Sequence, residues 1–275
     1  MQQLCDPSDS LTAPHQRARG LARVGFGPLG RLTGLRQQGS GKVMLPRTYG
    51  AMPEAVFVNT CGGVTGGDSF RWELSVAPNA AAVGTTQAAE RLYRASGGRG
   101  RIETVLSAGA GAKLHWVPME TILFEGCSVD RRIEVNLAGD AEFLGVEALV
   151  LGRAAMGEVL GNAHFTDNWR IRRDGRLVQA EAFRLSGDLR DVLTGAATLS
   201  EIRALATIIL SAPDAADRLE PLRARLPESV VCGASTWNGQ LVVRLYAPDH
   251  RPLKKALIDL LTWLRGEPLP RVWNM

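Results

Sequence analysis

Trp72-Glu73-Leu74-Ser75-Val76 and Ile133-Glu134-Val135-Asn136-Leu137 alternate apolar and polar residues with a period of two. That is the pattern of a strand with one face in a core and the other in water. Trp169-Arg170-Ile171-Arg172 repeats it. Weaker or two-sided versions follow at Glu54–Thr60, Lys113–Val117, Ala141–Leu151, Arg176–Leu185, Val230–Thr236 and Leu241–Tyr246. Turn signals separate these runs at Ala77-Pro78-Asn79, Ser107–Gly111, Leu137–Asp140, Arg173–Gly175 and Trp237–Gly239. Asp174-Gly175 and Asn238-Gly239 suit two-residue hairpin loops, which need positive φ. The expected fold class is therefore mainly β, with many short strands in packed sheets.

Helical spacing enters only late. Ile202, Leu205, Ala206 and Ile209 fall at i, i+3, i+4 and i+7 behind a Thr198-x-x-Glu201 capping pattern, which predicts a helix. Leu219, Leu222 and Leu226 predict a second, and Leu253, Leu257, Leu260, Leu261 and Leu264 a third. Two to three helices in the C-terminal third, packed on one side of the strands, complete the expectation. The order of elements excludes an alternating βαβ nucleotide-binding domain. The last helix runs into Pro268, Pro270 and Trp273, an apolar end expected to be covered by another chain.

The 275 residues include 45% apolar and 22% charged side chains, enough for a sizeable core. No apolar run reaches membrane-helix length, and the first 20 residues lack the apolar stretch of a secretory signal. Residues 1–20 are expected to be a flexible segment ahead of one β-rich domain over 21–275. Four scattered cysteines make no disulfide framework or zinc cage and point to reduced thiols in the cytoplasm. Residues 1–50 carry seven basic residues against Asp6 and Asp9, and arginine outnumbers lysine 28 to 4. The arginines are interleaved with acids and lack neighbouring aromatics, so no nucleic-acid partner is expected. No membrane partner is expected either.

Gly62-Gly63-Val64-Thr65-Gly66-Gly67-Asp68-Ser69 approaches the spacing of a phosphate-binding loop, but Asp68 stands where lysine is needed and a strand follows. It reads as a tight turn. Thr85 and Thr86, with Glu90 downstream, could serve a β-rich hydrolase or merely pair across a sheet. His115 reads as a hydrogen-bonded core residue. Glu147 shares a strand face with Leu149 and Leu151, and Glu181 one with Leu177, Phe183 and Leu185. A carboxylate on an apolar face must find a partner, stay protonated or line a polar cavity. Salt bridges to arginine satisfy that requirement; two such acids on neighbouring strands also make a polar channel.

Five segments in order resemble the UreD (UreH) family of urease accessory proteins. They are Asn59–Asp68, Thr85–Arg94 (T-T-Q-A-A-x-x-x-Y-R), Leu114–Phe124 (L-H-W-V-P-M-E-T-I-L-F), Leu151–Glu158 (L-G-R-A-A-M-G-E) and Leu269–Trp273. Cys61 departs from the small residue or proline usual there. The resemblance implies a non-catalytic maturation factor that binds UreF and, through it, the GTPase UreG, and docks on apo-urease. It implies no permanently bound cofactor but nickel in transit through an internal tunnel. Glu147 and Glu181, with Glu158, Thr85 and Thr86 as further members, are the candidate nickel route. Weak successive oxygen ligands suit transit, because a tight site retains the ion.

Overall fold

The computed structural model describes residues 16–48, 50–153, 156–196, 198–199 and 202–274. Its core is two facing sheets. In the first, β1 (Arg19–Phe26), β5 (Ser69–Val76), β8 (Gly100–Ala108), β11 (Ser128–Leu137) and β13 (Asn162–Arg173) lie parallel, side by side. Antiparallel β2 (Leu32–Gly39) and β14 (Arg176–Asp188) form its edges. In the second, β4 (Glu54–Asn59), β6 (Ala81–Thr86), β9 (Lys113–Trp116) and β12 (Glu142–Leu151) are parallel. Antiparallel β15 (Ala204–Ser211), β17 (Gln240–Ala247) and β16 (Val231–Trp237) extend it beyond β12. β3 (Gly41–Met44) borders β4, and short β7 (Glu90–Leu92) and β10 (Thr121–Leu123) pair with each other, β10 also lying along β12.

The chain passes from the first sheet to the second three times through a four-residue corner. Val76, Ala108 and Leu137 stand in register, and each is followed by such a corner. In each, the N–H of an alanine (Ala80, Ala112, Ala141) donates to the carbonyl three residues back. Asn79, Gly111 and Gly139 take the positive φ that these turns demand. The turn signals were legible; the parallel stacking of successive coils was not. The hairpin loops form as expected, with positive φ at Asp174, Gly175, Asn238 and Gly239.

Trp72, Leu74, Ile133, Val135, Trp169 and Ile171 bury the inward face of the first sheet against the second. The second sheet's other face packs Leu144, Val146, Ile208 and Val243 against the leucines of α3 (His250–Arg265). Asp249 caps α3 by accepting from the Arg251 N–H at 2.7 Å, and Gly266 ends it at φ 68°. The other helices are single turns, α1 (Arg190–Thr194) and α2 (Leu219–Arg223).

The helix expected over 202–209 is instead strand β15. Leu205 and Ile209 point into the inter-sheet core, while Ala204, Ala206, Ile208 and Leu210 face α3. Burial on both faces erases alternation, and a continuous apolar run then satisfies helical spacing by chance. Glu201 of the capping pattern lies outside the described residues. The C-terminal segment also differs from expectation. Leu269 and Trp273 are buried by their own chain, and the indole N–H donates to the Val117 carbonyl at 3.0 Å. Residues 1–15 lie outside the described residues; β1 starts at Arg19, and the Ala18 N–H is already held by Asp68. Among the described residues, no helix is long and apolar enough to cross a membrane.

Candidate functional site

A cavity of about 370 Å³ lies between the sheets where β14 faces β12, β15 and β17. Glu147, Thr207 and Arg244 are cross-strand neighbours on its second-sheet wall. Asp167, Trp169 and Glu181 supply the opposite wall. Glu147 and Glu181 thus come together, but not on neighbouring strands as expected: they face each other from different sheets. A bulge at Val178 also moves Leu177 off the Glu181 face. Leu177 pairs with Arg172 while Gln179 pairs with Ile171, leaving Leu177 48% exposed.

Arg131 organises the deep end. It stands beside Asp167 in register and donates to both its oxygens, from Nε at 3.1 Å and from Nη2 at 2.9 Å. Nη1 donates to the Thr121 hydroxyl at 2.8 Å, and Nη2 lies 2.7 Å from Glu147 Oε1. The Trp169 indole donates to Asp167 at 3.0 Å. One guanidinium therefore serves two buried carboxylates. Burial, helped by the charge of Asp167 and opposed by Arg131, pushes the Glu147 carboxyl up to about 8. Burial opposes the Arg131 charge too, but Asp167 and Glu147 outweigh it and raise the guanidinium further. Glu181, nearer the mouth, accepts two bonds from Arg244 Nη2 at 2.7 Å and one from Gln179 at 2.7 Å.

The other expected members lie elsewhere. Thr85 is fully buried and donates to the Val117 carbonyl at 2.7 Å; Thr86 accepts from the Met119 N–H at 2.9 Å. Together they clamp β6 to the segment after β9. Glu158 forms a surface pair with Arg153 at 2.8 Å. Thr86 and Glu90 do line a second, smaller cavity of about 110 Å³, beside Asn59 and Gly62. There burial pushes the Glu90 carboxyl up to about 7, although Asn59 Nδ2 donates to it at 3.2 Å. A hydrolase built on Thr85 fails on geometry: its hydroxyl is committed and sealed from solvent. Thr121 stands opposite Glu90 in register and accepts from Arg131.

The glycine loop is a turn closed on itself. Asp68 accepts from the N–H groups of Ala18 at 2.8 Å and Thr65 at 2.9 Å, filling the place a phosphate needs, and β5 follows. At Gly63 a Cβ would lie 2.4 Å from the Tyr93 ring, so glycine is required there. His115 is buried with Nε2 3.3 Å from Glu142. Cys61 is exposed, its thiol 3.0 Å from the Ser40 hydroxyl. Among the described residues, no group of three or more His, Cys, Asp or Glu is placed to hold a metal ion.

Arg131, Asp167 and Thr121 escaped the sequence reading. The signal existed: Arg131 interrupts the apolar series Val129, Ile133, Val135, and Asp167 sits between Phe165 and Trp169. The rule that singled out Glu147 finds both.

The architecture is a two-sheet scaffold enclosing a charged cavity between its sheets. The family model of the UreD urease accessory protein matches residues 18–274. The Jannaschia sp. (strain CCS1) urease accessory protein UreD is 47% identical over 268 residues, covering 97% of this chain and 99% of that one. That of Dinoroseobacter shibae is 46% identical over 273 residues, with 98% and 96% covered. That of Rhizobium rhizogenes is 45% identical over 264 residues, with 94% and 96% covered. The chain belongs to the UreD family of urease accessory proteins.

Proposed function

We propose that this chain is a non-catalytic urease maturation factor, a subunit of a cytoplasmic nickel-delivery complex. With UreF and the GTPase UreG it docks on apo-urease and assists insertion of nickel, which is cargo rather than a resident cofactor. Family membership over nearly the whole chain carries the reading. The cavity supports it in detail. Glu147 and Glu181 face one space from opposite sheets. Glu181 is balanced by Arg244, and Glu147 lies against Arg131 with its proton favoured by burial, so a passing cation competes with a guanidinium or a proton at each acid and is released readily.

The test is nickel per urease active site after activation with purified variant complexes. Glu147→Gln keeps the volume and an acceptor for Arg131, while Glu181→Leu removes the charge at the mouth. The double variant is expected to fold, bind its partners and deliver much less nickel. Full loading by a folded double variant overturns the route; loss of solubility with unchanged delivery per folded complex assigns the acids to salt-bridge duty alone.

A further inference from the structure

The outward face of the first sheet is bare among the described residues, whereas α3 covers the outward face of the second. Strand register aligns its side chains in rows. Arg19, Ser69, Arg101, Asp130, Thr166 and Arg184 form one row across the sheet, and three more rows follow at two-residue steps. Together, with the β1–β2 pairing, these rows hold nine arginines against four acids, a balance of +5. Arginines scattered singly along the sequence are thus gathered by parallel pairing.

The acids are engaged. Glu73 pairs with Arg23 and Arg71, Glu103 with Arg71, and Glu134 with Arg132 and Arg172, while Asp130 binds Arg99 just outside the rows. Arg19, Arg36, Arg101, Arg170 and Arg184 have no carboxylate partner among the described residues. At about 4.8 Å per strand and 3.3 Å per residue, seven strands by eight residues give a face of roughly 890 Å². One side of a standard protein interface covers about 800 Å².

We propose that this face docks an acidic protein surface. Two copies of a +5 face repel, which excludes self-association through it. A polyanion fits poorly: the face offers no aromatic ring for base stacking, and four carboxylates are fixed among the arginines. A protein surface can place carboxylates against the arginines that lack one and donors against the acids, which sets register as well as attraction. The inference goes beyond the nickel route and uses none of its residues.

The test places a photo-crosslinking benzoylphenylalanine at Ser75 or Ser107, small outward residues of the face, in the chain co-expressed with urease and its other accessory subunits. After irradiation the purified complex is sequenced across the adduct. The expected product is one protein segment in excess of Asp and Glu. Arg101→Glu with Arg184→Glu cuts its yield at least tenfold, and the corresponding lysine pair preserves it. No adduct, an adduct to RNA or lipid, to a second copy, or to a neutral or basic segment, or a yield indifferent to charge reversal, overturns the proposal. Loss of the adduct with normal nickel loading leaves the maturation reading intact; normal loading without the chain sinks that reading and not this one.

Discussion

The two sheets obey different rules although the same chain threads both. The first is buried on one face, and its strands alternate strictly: Trp72, Leu74 and Val76 inward, Arg71, Glu73 and Ser75 outward. The second is buried on both, against the first sheet and against α3, and its strands β12, β15 and β17 read as nearly continuous apolar runs. Charge on the first sheet's outer face is therefore cheap and plentiful. Charge between the sheets is rare, costly and arranged so that each acid faces an arginine. The comparison separates residues that hold the protein together from residues free to meet partners.

The sharpest way to break this contrast is Arg131→Ala, which strands Glu147 and Asp167 without their shared cation. It is expected to cost about 3–5 kcal/mol in urea unfolding. Removing all three charges together should recover part of that loss; a loss below about 1 kcal/mol for Arg131→Ala would show the cluster to be hydrated and outside the core. Next comes the double-faced sheet. Trp273→Ala opens the pocket behind the Val117 carbonyl and should destabilise the isolated chain by about 3 kcal/mol. Stability equal to the parent would mean that this end needs a partner to fold against, as its composition alone suggested.

The pH dependence sharpens the comparison from another side. Glu90 holds its proton in the folded state up to about pH 7, whereas the unfolded carboxyl releases it near 4.5. The native state therefore binds the extra proton across that window, and stability falls as pH rises from about 4.5 to 7, by up to about 3 kcal/mol. Glu147, also pushed up by burial, adds to the same slope, so Glu90→Gln should remove part of it, measured by denaturation at each pH; an unchanged slope assigns it wholly to other groups. The smallest effect belongs to the bare face. Glu73→Ala removes a partner of Arg23 and Arg71 and is expected to cost under about 1 kcal/mol, with less at high salt.

How much was legible follows from the same physics. Half-buried strands announced themselves through Trp72–Val76 and Ile133–Leu137, and the hairpin turns through Asp174-Gly175 and Asn238-Gly239. Strand β15 did not, because Leu205 and Ile209 look one way and Ile208 and Leu210 the other. Glu147 and Glu181 were found because each is a carboxylate in apolar company. Their facing positions were not, since a strand's sequence says nothing about which sheet it joins. Thr85 and Thr86 stood out as adjacent hydroxyls; the fold ties both to the segment after β9, with Thr86 also lining the second cavity, and it pairs Glu158 with Arg153.

The sequence by itself determined the β-rich class, the turn positions, two of the three late helices, the family, and the two acids whose environment is costly. Those properties are written in nearest neighbours and short periods, which backbone geometry reads directly. Tertiary structure alone decided that successive coils stack in parallel, that Arg131 serves both Glu147 and Asp167, and that nine scattered arginines share one face. Each depends on register between strands tens of residues apart. That register is set by packing Val76, Ala108 and Leu137 in line, a long-range choice that no local pattern encodes.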